Sequence, residues 1–256
     1  MDDFLYVTPS YDNAVAFLTL MLRGIPEYNC HINHRKTLVN FRLDSAVTGG
    51  SSGHQGVPRV ATDCQLFPWC GLLIDTSTLA VFTDFTCYAG VEMSDTLTVD
   101  SSRNAGRSMR DRLLFSLRAR CHRIFFDAAT NPAAVQNVYR VFVLAAFKLH
   151  AYAAHLPSGP QRNPAFFVDV VFQVARFVSG RWAAAGRLLE GPSLQWLCLE
   201  AFRRKLGRHG GVYGAVLSVL ARRQRTLQRG LDGGRLVQLK RIVGDDLPAD
   251  FRYVLP

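Results

Sequence analysis

The sequence lacks a long apolar run. Its longest nearly uninterrupted one extends from Val141 to Phe147, between Arg140 and Lys148, whereas a membrane-spanning helix needs roughly 20 apolar residues. The amino terminus also lacks the basic start of a secretory signal, because two aspartates follow the first methionine. We therefore expect no membrane partner and a reducing compartment, in which the six cysteines are free thiols.

Several catalytic motifs are missing as well. The sequence has no G-x-S-x-G nucleophile elbow, no H-E-x-x-H zinc helix and no C-x-x-C pair. The Gly/Ser-rich residues 48–57 lack the Gly-Lys-Ser/Thr ending of a phosphate-binding loop, so we interpret them as a linker. These absences argue against the common hydrolase classes.

Charge is distributed unevenly along the 256 residues, whose formal net charge is +10. Residues 1–100 contain five basic and eleven acidic side chains, a charge of −6, whereas residues 101–256 contain twenty-five basic and nine acidic ones, a charge of +16. This asymmetry predicts two domains, 1–100 and 101–256, and a polyanion as partner of the second, with nucleic acid the first candidate. The alternative is a basic surface that serves solubility alone.

Strand patterns dominate the first hundred residues. One helix pattern interrupts them, from a predicted cap at Asp12 to Leu22, and it ends at Gly24. The predicted strands are a single one followed by two hairpins, the second turning at residues 75–77: Phe4–Thr8, Tyr28–Ile32, Thr37–Leu43, Phe67–Ile74 and Leu79–Phe85.

Helical periodicity replaces this pattern after about residue 103. The predicted helices are Ser108–Phe126, Ala133–Leu156, Pro164–Leu189, Ser193–Arg208, Val212–Gly230 and Gly234–Val243. The sequence therefore predicts an α+β protein whose C-terminal part is an all-α bundle.

Three groups of residues in the first hundred are candidates for chemistry. Asp2 and Asp3 precede the first predicted strand, and two carboxylates there are able to hold a divalent cation; Mg²⁺ suits oxygen ligands when the substrate carries phosphates. Lys36, in a predicted turn, is able to reach a phosphate or to donate a proton. The alternatives are solvated acids and an exposed hairpin lysine.

The third candidate group is Trp69, Cys70 and Gly71, at the start of the second hairpin. An indole and a glycine permit close approach of the backbone to a stacking partner, whereas core packing of Trp69 is the competing interpretation.

Four segments stand out when they are taken in order: Met-Asp-Asp-Phe-Leu-Tyr-Val-Thr-Pro (1–9), Gly-Ile-Pro-Glu-Tyr (24–28), Arg-Lys-Thr-Leu-Val-Asn-Phe (35–41) and Phe-Pro-Trp-Cys-Gly-Leu-Leu-Ile-Asp-Thr (67–76). Their order and spacing resemble motifs C, D and E of telomerase reverse transcriptases, and the helical remainder resembles that family's thumb, or C-terminal extension. The resemblance covers essentially the whole chain. It implies the distal part of a right-hand polymerase palm, built of β-hairpins plus a helix, followed by an all-α thumb bundle.

The resemblance also implies roles for the candidate residues. Asp2 and Asp3 would be the motif C aspartates that hold Mg²⁺ for RNA-directed DNA synthesis, with Asp2 the more direct ligand, and Lys36 the motif D lysine that protonates departing pyrophosphate. The Trp-Cys-Gly segment would be the primer grip. Thumb contacts with the template-primer backbone are expected at the start of the first long helix, from Asn104, Gly106, Arg107 and Arg110.

The partners implied by the resemblance are telomerase RNA, the telomeric DNA 3′ end and deoxynucleoside triphosphates, in the nucleus at the telomere. The family's first metal-binding aspartate lies upstream of motif C, so we expect the isolated chain to be inactive. Two alternatives stay open. One is a noncatalytic helical module that grips nucleic acid; the other is a protein-interaction domain that uses the apolar faces of Val135–Phe147 or Phe166–Phe177.

Overall fold

The computed structural model describes residues 3–43, 65–99, 104–184 and 189–254. Asp2 and the predicted linker at residues 48–57 lie outside these ranges. The chain divides into two compact units, residues 1–77 and 78–256. The predicted division after residue 100 rests on charge and motifs, and it stays a prediction. None of the helices in the described ranges is long and apolar enough to cross a membrane.

The N-terminal unit contains helix α1, Tyr11–Arg23. Its N-terminal cap is Ser10 rather than the predicted Asp12, because Asn13 N donates to Ser10 Oγ at 3.3 Å. Asp12 lies in the first turn, where the negative charge of a carboxylate interacts favourably with the helix dipole. The helix ends at Gly24, as predicted, with a φ of 67°. A side chain there would meet the carbonyl oxygen of Cys30 at 2.5 Å, so the position requires glycine.

The predicted strands before residue 44 are wrong. Residues 4–8 form no strand, and no described segment pairs with them. The predicted hairpin at residues 28–43 is replaced by two short 3₁₀ turns, Pro26–Tyr28 and His34–Lys36. Asn33 explains the second turn, because its Oδ1 accepts from Arg35 N at 3.0 Å and its backbone oxygen accepts from Thr37 N at 3.1 Å. Such local bonds compete with strand pairing.

A tight hairpin follows, made of β1, Leu66–Trp69, and β2, Leu72–Asp75, which pair antiparallel. The predicted strand at residues 67–74 therefore covers most of both strands and the turn between them. The turn at Cys70 and Gly71 was not predicted. The predicted turn at residues 75–77 is also present, because residues 76–78 form a turn after β2 and Asp75 Oδ1 accepts from Ser77 N at 2.9 Å.

The second unit begins with a short strand, β3, Val81–Thr83. Two buried asparagines fix it to the helices. Asn131 Nδ2 donates to Val81 O at 2.8 Å and its Oδ1 accepts from Val81 N at 3.2 Å. Asn137 Nδ2 also donates to Val81 O at 2.8 Å, while its Oδ1 accepts from Thr83 N at 3.3 Å. Side-chain amides thus satisfy backbone groups that would otherwise be buried without partners.

The rest of the second unit is helical. The helices are α2, Ala105–Leu117; α3, Arg123–Phe126; α4, Ala134–Ala153; α5, Pro164–Ala184; α6, Gly191–Gly207; α7, Gly210–Gly230; and α8, Gly233–Val243. The predicted helix at residues 108–126 is interrupted. His122 is extended, and its Nδ1 accepts from Ile124 N at 3.2 Å, so it caps a new helix, α3.

Helix α4 lies at the centre of the bundle and contacts α6, which in turn packs on α7. Its residues 141–147 are all buried, and so are Phe167, Val170 and Val174 of α5. The two apolar faces proposed for an interaction domain therefore belong largely to the core. The observed architecture confirms the predicted α+β class with an all-helical C-terminal bundle.

Candidate functional site

Two of the predicted site residues are in contact within the N-terminal unit. The Cys70 thiol donates a hydrogen bond to Asp3 Oδ2, with 3.4 Å between Sγ and the oxygen, across 67 positions of sequence. Both side chains are exposed. Desolvation, the hydrogen bond and the charge of the Asp3 carboxylate all raise the pKa of the thiol. The predicted metal-binding segment and the predicted primer grip thus share one surface.

The hairpin turn determines where the Cys70 thiol points. Cys70 and Gly71 have φ values of 47° and 76°, and positive φ at both central residues is the mark of a type I′ turn, whose twist suits a two-residue hairpin. A left-handed backbone conformation is strained for a residue that has a Cβ, such as cysteine. Gly71 accepts it without strain, and a Cβ there would meet nothing within 4 Å, so the backbone beside the thiol is open.

Trp69 lies next to this turn and pairs with Leu72. Its ring is half-buried, and its indole Nε1 is buried without a hydrogen-bond partner among the described residues. Buried indole N–H groups usually find an acceptor. The burial favours packing as the role of Trp69.

The described acidic residues supply only part of a metal site. Asp3 offers an exposed carboxylate, Asp2 lies outside the described residues, and no group of three His, Cys, Asp or Glu side chains is found in the described ranges. Carboxylate oxygen is the donor that Mg²⁺ prefers. The donor chemistry therefore fits this ion, with further ligands required from other segments.

Lys36 ends the second 3₁₀ turn and its side chain is exposed. Its backbone N donates to Asn33 O at 3.0 Å, which fixes the turn. No contact of Lys36 with Asp3 or Cys70 is found in the described part of the chain. The lysine thus belongs to the same unit as the other two residues but is not joined to them.

The four predicted thumb residues lie at the start of α2. Asn104 precedes the helix without a side-chain capping bond, and Arg107 is exposed and has no acidic partner among the described residues. Arg110 Nη2 pairs with Asp111 Oδ1 at 2.8 Å. A Cβ at Gly106 would lie 3.1 Å from Phe166 Cζ, so this glycine allows α2 to approach α5 closely. Arg107 is therefore the cation most available to a ligand, and Gly106 has a packing role that the sequence did not reveal.

Comparison with known proteins bears on both units. Residues 107–221 match the family model described as telomerase reverse transcriptase, C-terminal extension. Over its whole length the chain is 37% identical to telomerase reverse transcriptase of Rattus norvegicus and 39% identical to that of Bos taurus, and it covers 24% of each. The chain belongs to the telomerase reverse transcriptase family. The same protein of Takifugu rubripes is 33% identical over 98% of the chain, again covering 24% of the relative.

The telomerase reverse transcriptase assignment confirms the resemblance drawn from the four sequence segments. The chain spans about a quarter of the length of the curated relatives it matches. The family model matches most of α2, helices α3 to α6 and part of α7, and thus the bundle around α4.

Sequence reasoning missed a group of basic and aromatic residues in this bundle. Lys205 is 4% exposed, and His150 stacks on His209 with 4.0 Å between ring centroids. One sequence feature points to Lys205, since it follows Leu197 and Ala201 at helical spacing on the apolar face of α6. A lysine in such a position is buried when the helix packs.

Proposed function

We propose that this chain forms the distal palm and thumb of a telomerase reverse transcriptase, which copies an RNA template into telomeric DNA. The observation that carries the proposal is the match of the entire chain to proteins of that name. The contact between Asp3 and Cys70 supports it, because it joins two segments that such an enzyme uses at one site. The proposed partners are telomerase RNA, the telomeric DNA 3′ end and deoxynucleoside triphosphates, in the nucleus at the telomere.

In this proposal, Asp2 and Asp3 hold Mg²⁺, which supplies charge stabilisation for attack of the primer 3′ hydroxyl on a nucleoside triphosphate. Asp3 is exposed, so its second oxygen is accessible while Oδ2 accepts from the thiol of Cys70. The thiol hydrogen bond orients the carboxylate. An exposed ammonium at Lys36 donates a proton to the leaving pyrophosphate.

The turn at Cys70 and Gly71 holds the primer end in this proposal. Gly71 leaves open space for the sugar-phosphate backbone, and the half-buried Trp69 lies next to the turn. In the second unit, Arg107, with Arg110 and Asn104 beside it, contacts the template-primer backbone. These contacts position the duplex without reading its sequence.

Primer extension tests the catalytic part of the proposal. The assay uses a longer protein in which this chain is joined to the other three quarters of a full-length relative. Asp3→Ala should reduce templated extension on the order of 10²-fold or more, as expected when a group that stabilises transition-state charge is removed, and should leave primer binding nearly unchanged. Asp245→Ala, at another exposed carboxylate, is the matched control. Full activity of Asp3→Ala would remove Asp3 from the site.

The same assay distinguishes the proposed polymerase from the alternative, a noncatalytic module that grips nucleic acid. We expect the isolated 256-residue chain to bind primer without extending it, since one segment does not supply a complete metal site. Lys36→Ala in the longer protein should slow incorporation more than it weakens nucleotide binding. If Lys36→Ala changes only thermal stability, the lysine has no part in the chemistry.

A further inference from the structure

A cleft with a volume of about 230 Å³ opens between the start of α4 and helix α8. Its aliphatic lining consists of Val135 of α4, Leu189, which precedes α6, and Leu239 and Ile242 of α8. Leu189 and Leu239 are buried, whereas Val135 and Ile242 are half-buried. Because an apolar cavity of about 150 Å³ already accepts a benzene ring, this cleft is large enough for one leucine or aromatic side chain.

Three polar residues of α8 line the rest of the cleft: Arg235, Gln238 and Arg241. Arg235 Nη1 donates to Gln238 Oε1 at 3.3 Å, and Arg241 is exposed. Neither arginine has an acidic partner in the part of the chain that the structure describes. Asp232 caps the helix, since its Oδ2 accepts from Arg235 N at 3.1 Å, and α8 itself contains three basic residues and no acidic one. The cleft therefore combines an aliphatic lining with unpaired positive charge.

These two properties restrict the class of ligand. The aliphatic lining favours an apolar group, and the arginines favour carboxylates beside it, because guanidinium and carboxylate form charge-assisted hydrogen bonds. A single-stranded nucleic acid fits less well. Such strands stack their bases on aromatic side chains, and no aromatic residue is among the described residues that line the cleft. A peptide with acidic residues around one apolar side chain matches both properties.

We propose that the cleft between α4 and α8 is a docking site for an acidic segment of a partner protein. The segment inserts one leucine or aromatic side chain between Val135 and Leu239, and its carboxylates pair with Arg235 and Arg241. The inserted side chain supplies most of the affinity, as buried anchors do in protein interfaces, and the arginines select for acidic partners. The site is independent of the proposed polymerase function and lies within the second unit.

Fluorescence polarisation of short labelled peptides with the full 256-residue chain tests the site. The probe is the acidic peptide Asp-Glu-Phe-Asp-Glu. Its two controls are Asp-Glu-Gly-Asp-Glu, which lacks the apolar anchor, and Lys-Arg-Phe-Lys-Arg, which reverses the charge. The probe should bind roughly tenfold or more tightly than either control, since burial of the ring and pairing with the arginines both contribute. Equal binding of the probe and the glycine peptide would overturn the proposal.

Two pairs of variants locate the binding. Val135→Phe fills the cleft and should weaken the probe roughly tenfold or more, whereas Val237→Phe adds the same ring at an exposed position of α8 outside the lining and should bind as the wild type does. Arg241→Gln leaves the cleft open and should weaken the probe roughly three- to tenfold. Arg222→Gln, at an exposed arginine of α7, is its control. Because Arg241 is exposed, this pair stays informative if Val135→Phe does not fold.

Two further measurements identify the occupant. If an oligothymidylate displaces the probe and loses affinity in Val135→Phe, the cleft binds nucleic acid and the proposal is overturned. The probe is also added to the longer protein, in which this chain is joined to the rest of a full-length relative. Retained binding there supports a separate partner protein. Loss of binding there means that another segment of the same protein fills the cleft, which overturns the proposal.

Discussion

The Cys70 thiol donates a hydrogen bond to the Asp3 carboxylate, with 3.4 Å between Sγ and Oδ2. The two residues belong to segments 67 positions apart, and a type I′ turn presents the thiol. The carboxylate and the turn therefore depend on each other for their orientation. This coupling allows Asp3 to be tested in the isolated chain, without an activity assay.

Removal of the Asp3 charge should make Cys70 more reactive. Desolvation and Asp3 together raise the pKa of the thiol, and only the thiolate reacts with alkylating agents. Asp3→Asn should therefore speed alkylation of Cys70 by iodoacetamide roughly two- to tenfold near pH 8, as measured by mass spectrometry of the Cys70 peptide. The exposed Cys30 is the internal control. Equal rates for Cys70 in the two proteins would contradict the contact.

Asn137 should be among the most sensitive polar residues of the bundle. It is fully buried, and its side chain bonds to Val81 O, Thr83 N and Phe125 O. Asn137→Ala removes the side-chain acceptor of Thr83 N and one donor each to Val81 O and Phe125 O, and it should lower the free energy of unfolding by about 2–4 kcal/mol, measured by urea denaturation. Asn104→Ala removes an exposed asparagine without a capping bond and should change it by less than about 0.5 kcal/mol. Similar losses in both variants would contradict the role of Asn137.

The helical part of the fold was predictable because its signals are local. Apolar periodicity with Pro164 and the glycines near 207–211 and 230–234 located α5 to α8 within a few residues. The first unit was harder. Asn33 bonds to the backbone two and four positions later and forms a turn, and no composition rule separates that sequence from a hairpin. Strand pairing depends on partners, and residues 4–8 have none in the described part of the chain.

The candidate site was predictable by family resemblance rather than by chemistry. Asp3, Lys36 and Cys70 are ordinary surface residues taken singly, and their roles stay predictions. The contact between Asp3 and Cys70 was not foreseeable, because it requires positive φ at a cysteine, which is uncommon. Lys205 was missed for a related reason: helical spacing places it on the buried face of α6, while its residue type predicts solvent.

Acid should destabilise the helical unit through His150. Burial, Lys205 and His209 lower its pKa from 6.5 to about 4, so the folded state favours the neutral ring. The unfolded state binds more protons between these values, and stability therefore falls as pH decreases from about 6.5 to about 4. His150→Gln, which does not titrate, should flatten this part of the profile in urea unfolding. His155→Gln, at an exposed histidine, should leave it unchanged; an unaltered slope in His150→Gln would contradict the shift.

Arg107 should contribute one phosphate contact to nucleic-acid binding. It is exposed at the start of α2, whereas Arg110, one turn later, is engaged with Asp111. Each phosphate that a protein neutralises releases counterions, so the slope of log affinity against log salt counts such contacts. Arg107→Ala should reduce this slope by about one for an RNA–DNA hybrid, and similarly for hybrids of different sequence. Arg225→Ala, at an exposed arginine of α7, should reduce it less. If the two variants lose the same slope, the binding surface does not centre on α2; if neither loses any, the arginines are solvated helix surface.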